Sequence, residues 1–349
     1  MQNPWLAASR QDAACKTRRA LLTAIPVLAT SPSAFTQVLD PGVNKNAVCI
    51  APAKLGGGFD LTCRLAAKAI DGARSGDAKT LIQYLPGGIG ALAYDKAATQ
   101  QLGDERTLIA FSSGSLLNIA QGRFGPHSIA SVNWLGVLAA DYGVVAVRAD
   151  SPYRSLDDLL RAIRANPAAI PFGAGGTVGS QDWIKAARLV RAAGRDPREM
   201  RFVAFEGGGE ALRALAGGHV VAFPGDAAEA QHAISAGERI RILAILASDR
   251  VPGKLAHIPT AIEQGVDVTW MTVRGLYMAA GTPPSVIRYW SDTLQKAMDL
   301  PRYMALLENF DLYPYSLVGR PLQEYLRQKI QEYREDAEKM GVRIWRNRP

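Results

Sequence analysis

The chain has 349 residues, 48% of them hydrophobic and 21% charged, the balance of a globular protein with room for two domains of ordinary size. Its formal net charge is +8, of which residues 1–34 carry +3 through Arg10, Lys16, Arg18 and Arg19 against Asp12. The remaining surplus is scattered, without a run of Lys or Arg and without aromatic residues interleaved among basic ones, which fits a small anionic ligand, or no particular partner, better than nucleic acid.

The first segment reads as an export signal. Lys16, Arg18 and Arg19 precede an apolar stretch over 20–29, followed by the small residues Ser31, Ser33 and Ala34. The apolar run is too short to span a bilayer. We take 1–34 as the signal peptide; Thr17-Arg18-Arg19 is a loose twin-arginine pattern, so the export route stays open. An exported protein retains Cys49 and Cys63, which in an oxidising compartment either pair as one disulfide or remain two buried thiols.

The mature chain alternates strand and helix patterns. Strands are expected over 48–51, 81–85, 108–111, 134–138 and 143–147, then over 170–173, 202–204, 220–223 and 242–247. Helices are expected over 61–70, 91–101, 116–121, 155–165, 181–193, 210–216 and 227–236. Such alternation points to an α/β fold with parallel sheets covered on both faces. From about residue 268 the pattern changes: two extended runs over 268–273 and 276–280, then helices over 285–300, 302–309 and 321–340, the last with an apolar face through Leu322, Leu326, Tyr333 and Ala337.

Four strand ends open into glycine loops, the most informative being Lys54-Leu55-Gly56-Gly57-Gly58-Phe59-Asp60. Bare backbone N–H groups next to a helix N-terminus form a seat for an anion; the bland reading is a tight turn without a ligand. Lys54, beside the glycines, and Arg274, inside the apolar run 270–277, are candidates to neutralise a carboxylate, or else form structural ion pairs. Ser113 and Ser115, in Ser112-Ser113-Gly114-Ser115, are candidate ligand donors or plain turn residues. Asp60, Asp141 and Asp226 either orient donors or accept a ligand hydroxyl, or else are plain helix caps. No Gly-x-Ser-x-Gly elbow occurs, Gly173-x-Gly175 lacks the spacing of a dinucleotide loop, and His127, His219, His232 and His257 show no metal-ligand spacing. We therefore expect a binding protein with no catalytic residues, metal or cofactor.

The segments 49–64, 84–94, 111–125, 141–152, 173–183, 202–210 and 241–264, and above all Phe205-Glu206-Gly207-Gly208-Gly209-Glu210 and Gly179-Ser180-Gln181-Asp182-Trp183, carry a family resemblance. The chain resembles the periplasmic solute-binding receptors of tripartite tricarboxylate transporters, and among them the tricarboxylate, citrate-type subgroup. The resemblance implies a two-lobed type II periplasmic binding protein, each lobe a sheet flanked by helices. Lobe 1 would hold 40–145 and 270–349, and lobe 2 would hold 146–269. It places Gly57, Gly58, Phe59 and Asp60 against the ligand on one side, Thr177, Val178, Gly179 and Ser180 on the other, and Glu206, Gly207 and Asp226 on the floor. It implies a monomeric periplasmic protein that closes on a tricarboxylate such as citrate and delivers it to integral membrane subunits. A receptor for a dicarboxylate, an amino acid or an aromatic acid, used in uptake or sensing, is the alternative. Two positions depart from the pattern: Phe59 stands where much of the family has Thr, and Leu55 where the subgroup has Pro.

Overall fold

The computed structural model describes residues 45–345; the expected signal peptide lies outside the described residues. The first part alternates β1 (Ala47–Ala51), α1 (Gly58–Ala73), β2 (Thr80–Tyr84), α2 (Ala91–Ala98), β3 (Thr107–Ser112) and α3 (Ser113–Ala120). β1 lies between β2 and β3 and is parallel to both, as helix crossovers dictate. The chain then forms β4 (Asn133–Arg148), α4 (Leu156–Ala165), β5 (Phe172–Gly175), α5 (Gln181–Ala192), β6 (Phe202–Phe205), α6 (Gly208–Ala216), β7 (Ala222–Phe223), α7 (Ala227–Ser235) and β8 (Ile240–Leu246). It ends with β9 (Met271–Met278), α8 (Pro284–Asp299), α9 (Arg302–Asn309), β10 (Tyr313–Val318) and α10 (Gly319–Lys339).

The sheets are mixed, not parallel throughout as the alternation suggests. β4, 16 residues long, joins them: up to Tyr142 it pairs antiparallel with β9 and β10, and from Gly143 to Arg148 antiparallel with β8 and β7. β9 also runs antiparallel to β3, while β5 lies parallel to both β6 and β7. Crossover helices fix a common direction only for the strands they connect; β9 inserts between β3 and β4, which run the same way, and is antiparallel to both. The expected strands 134–138 and 143–147 are one strand, and so are the extended runs after residue 268. β10 has no counterpart in the sequence pattern.

Helices cover both faces. Leu65, Ile70, Trp290 and Leu294 bury α1 and α8 against the first sheet, and Leu212, Leu215, Phe223 and Ile245 bury α6 against the second. On the opposite face Phe111, Trp134 and Tyr277 form an aromatic group, with Phe111 edge-on to Trp134 at 4.7 Å between centroids. α10 docks here through Leu322, Leu326, Tyr333 and Ala337, and Tyr333 stacks on Trp270 at 5.8 Å. Each such apolar side chain contributes about 1.5–3 kcal/mol when removed from water, enough to hold a terminal helix in place.

Cys49 on β1 and Cys63 on α1 are joined as a disulfide, Cα atoms 5.6 Å apart and 14 residues apart in sequence. The bridge closes the strand, glycine turn and helix start into one loop. Limiting the unfolded chain over a loop of this size is worth about 3 kcal/mol. Reduction with a phosphine is expected to lower the unfolding free energy by about that amount. A denaturation midpoint unchanged on reduction would contradict it.

Candidate functional site

Five helices begin around one small cavity. The residues that precede their first turns are Gly57 for α1, Ser112 for α3, Ser180 for α5, Gly207 for α6 and Asp226 for α7. All five line one small space of about 60 Å³, room for one carboxyl group with a water or two. The first N–H groups of a helix have no acceptor within it; in α1 the Leu61 N–H, bonded to the Gly57 carbonyl, is the first to find one. Several positive helix ends therefore face one space, and Gly57, Gly58, Gly207 and Gly208 put no side chain between backbone and cavity. The arrangement can hold an anion with backbone donors alone. The cavity opens into a mouth of about 930 Å³ lined by Ile89, Asn118, Arg123, Thr177, Phe205 and Trp345.

The floor beneath is a buried charge network. Arg274, 1% exposed, donates from Nε to Asp141 Oδ2 at 3.1 Å and from Nη2 to Asp226 Oδ2 at 3.2 Å. Lys185, fully buried, donates to Asp226 Oδ1 at 2.8 Å and to the Gly225 carbonyl at 2.7 Å, and pairs with Asp182 at 2.8 Å. Asp226 also accepts from Thr272 Oγ1 at 3.0 Å and from Gln181 Nε2 at 3.3 Å. Burial pushes the Asp226 carboxyl up, but Lys185 and Arg274 together outweigh it and hold the group ionised. Burial works against the Arg274 charge, and Asp141, Asp226 and Glu229 more than restore it. Glu229, on the first turn of α7, has Arg274 as its nearest cation, at 3.9 Å, and burial followed by repulsion from Asp226 raises it to about 8. Four acids thus stand against two bases.

The structure brings Gly57, Gly58, Phe59, Ser180, Glu206, Gly207, Asp226 and Arg274 to the cavity. Other expected ligand residues are committed elsewhere. Ser115 Oγ accepts the Ser112 N–H at 3.3 Å and closes a capping box, and Ser113 Oγ accepts the Val273 N–H at 2.9 Å, so the hydroxyl this turn offers the cavity is Ser112's. Asp60 points away from the cavity, accepting from the Gly56 N–H at 2.9 Å, Arg64 at 3.0 Å and Tyr84 at 2.8 Å; it locks the glycine turn, and it uses one of that turn's three N–H groups. Asp141 is fully buried behind Arg274. Lys54 lies on the rim, paired with Glu210 at 2.8 Å. Thr177 lines the mouth and accepts from Arg123, the Val178 side chain is exposed, and the Gly179 carbonyl accepts from Gln121 at 2.8 Å. Lys54 and Arg274 thus both have carboxylate partners in the protein, and of the two Arg274 lines the cavity.

Sequence reasoning missed Glu229, Gln181, Asp182 and Asn118, all at the cavity. Gln181 and Asp182 stand in a quoted motif directly after the Ser180 cap. Asp226-Ala227-Ala228-Glu229 has the spacing of a capping box, but Asp226 makes no side-chain cap, because Lys185, Thr272 and Arg274 take its oxygens.

Comparison with known proteins places this geometry. A protein of a tcbD-tcbE intergenic region in Pseudomonas sp. (strain P51), of the UPF0065 group, is 27% identical over 301 residues, 84% of this chain and 86% of that one. A UPF0065 protein of the gbd 5′ region in Cupriavidus necator is 25% identical over 215 residues, which span 61% of this chain and 63% of that protein. Among solved structures, the periplasmic binding protein BugD superposes with a TM-score of 0.74 at 19% identity, covering 86% of this chain and 99% of BugD. MatC from Rhodopseudomonas palustris with bound malate gives 0.71 at 21%, covering 84% and 99%. An R. palustris protein with adipate gives 0.76 at 21%, covering 86% and 98%. These likenesses establish the α/β periplasmic binding protein fold. Residues 121–341 match the family described as tripartite tricarboxylate transporter family receptor, and the chain belongs to that family.

Proposed function

We propose that this protein is an extracytoplasmic receptor that captures a di- or tricarboxylate, citrate among the candidates, between two lobes and delivers it to the membrane subunits of a tripartite tricarboxylate transporter. The lobes are 40–145 with 270–349, and 146–269; β4 and the stretch before β9 would carry the hinge. One observation bears the reading: five helix N-termini meet at a space the size of a carboxyl group. One carboxylate sits there on backbone donors, and the rest of the ligand lies in the mouth. α1 and α3 come from the first lobe and α5, α6 and α7 from the second, so an anion at their meeting point stabilises the closed form. Malate in MatC and adipate in a second structural relative agree with an acid of this size. The leader over 1–34 fits export to the periplasm.

A second reading rests on the charge of the floor. With four acids against two bases and Glu206 Oε2 buried without a protein partner, an amino acid could offer its ammonium to the carboxylates and its carboxylate to the helix ends. Isothermal titration of the full chain, stripped of ligand, with citrate, isocitrate, succinate, malate, adipate and glutamate separates the two. Saturable one-to-one binding of a di- or tricarboxylate supports the first reading. A response to glutamate alone selects the second, and silence across the panel refutes carboxylate capture.

A further inference from the structure

Glu229 occupies an unusual place in this site. Its side chain is 8% exposed and lies against Gly58 and Gly208, the first residues of α1 and α6; a Cβ on either glycine would strike it. It lines both the small cavity and a rear groove of about 640 Å³. Among the described residues no donor reaches its oxygens at hydrogen-bond distance; Arg274 stands at 3.9 Å and bonds through Nε and Nη2 to Asp141 and Asp226. An ionised carboxylate with no hydrogen bond, aimed into a seat built for an anion, would repel the ligand. A protonated one adds a donor to the backbone and side-chain N–H and O–H groups around the seat.

We propose that Glu229 holds a proton and donates it in a hydrogen bond to the ligand carboxylate, so that anion capture is linked to that proton. The inference rests on the carboxylate reading above and deepens it. No bond to hydrogen is broken: below the titration range the proton is already in place, and above it one proton enters from solvent with each ligand, by way of the rear groove. The raised value of about 8 places the switch within reach of experiment. The sign follows from the acid's direction of shift: the binding-competent form is full below about pH 8 and is lost as pH rises through it.

The charges around Glu229 come from every neighbouring element. They are Asp226 and His232 on α7, Asp182 and Lys185 on α5, Asp141 on β4, Arg274 on β9 and Glu206 before α6. Across the rear groove stand Asp60, Arg64 and Lys68 on α1, Arg213 on α6 and Glu238 after α7. His232 is lowered, first by burial, and is uncharged throughout this range. Asp141 and Asp182 are raised by burial, but each has an ion-pair partner, Arg274 and Lys185, at hydrogen-bond distance or closer. Glu229 lacks such a partner and is the group free to change charge.

The test is calorimetric titration of the full chain with malate, succinate and citrate at about pH 7.5, 8.5 and 9.5, in two buffers of different protonation enthalpy. Affinity is expected to fall about tenfold per pH unit above about pH 8, with close to one proton taken up per ligand at the highest pH. Glu229→Gln keeps a neutral donor in the same place, so its affinity is expected to stay flat with pH and to exceed the native value about tenfold or more at the highest pH. A pH-independent native affinity without proton uptake overturns the proposal and leaves the carboxylate receptor standing. A native slope that survives in Glu229→Gln overturns it as well. If none of the three acids binds at any pH, the carboxylate reading falls and takes the proposal with it. Should the variant fail to fold, proton uptake by the native chain decides alone.

Discussion

Arg274→Ala is expected to destabilise the protein by about 3–5 kcal/mol, the effect of removing one partner from a buried ion pair. The side chain is 1% exposed and binds Asp141, which is fully buried, and Asp226, which is 3% exposed. Without the guanidinium, Asp141 has only its own neighbours' N–H groups, from Tyr142 at 2.8 Å and Ala228 at 3.2 Å, and Asp226 leans on Lys185 alone for charge. Urea unfolding should show a lower midpoint with an unchanged slope. Arg274→Lys restores the charge but not the fork that reaches both acids, so it should recover only part of the loss. Arg274→Ala should be relatively more stable at mildly acidic pH. Asp141, raised by burial and no longer opposed by Arg274, moves further above its unfolded value, the folded state then binds more protons, and stability declines as pH rises. A midpoint equal to the native one would show that Arg274 is not structural and would return it to the list of free cations for the ligand.

The same ion pair explains where the sequence misled. Two expected strands break at Ala139-Ala140-Asp141-Tyr142 and two extended runs break at Arg274-Gly275, because a charge inside an apolar run reads as an interruption. In the fold those interruptions face each other: Ala139 pairs with Arg274 and Asp141 with Thr272 across β4 and β9, so each charge supplies the other's partner and both strands continue. β10 escaped notice because Pro314 forbids a central strand, and it lies at an edge, paired with β4 alone. The glycine turns were legible because bare backbone at a strand-to-helix turn is a local signal. The floor was not, since Asp141, Lys185, Asp226 and Arg274 are separated by 41–133 residues along the chain. Nor could spacing reveal side-chain direction, which turned Ser113 and Asp60 inward to protein partners and left Ser112 facing the cavity. Glu229 was hidden by its resemblance to a capping-box acid.

Gly57→Asp is expected to separate binding from folding in the opposite sense to Arg274→Ala. Gly57 precedes the first turn of α1 with φ −100° and ψ 180°, an extended backbone open to any residue. A Cβ there meets nothing nearer than the Gly208 nitrogen at 3.6 Å, ordinary contact. Aspartate is also among the best residues at this position, where its oxygen accepts from the exposed N–H groups of the first turn. The fold should therefore melt at or slightly above the native temperature. The ligand fares differently. The new carboxylate would take the donors that a bound anion needs and set a negative charge beside it, a juxtaposition worth several kcal/mol, or at least about a hundredfold in Kd. Gly57→Ala fills part of the same space without charge and should weaken binding far less, so the pair distinguishes charge from bulk. Carboxylate binding retained in a folded Gly57→Asp variant would place the anion somewhere other than the meeting point of the helix ends. If Gly57→Ala and Gly57→Asp were equally weak, volume and not charge would govern the seat, and an uncharged ligand would fit it as well as an acid.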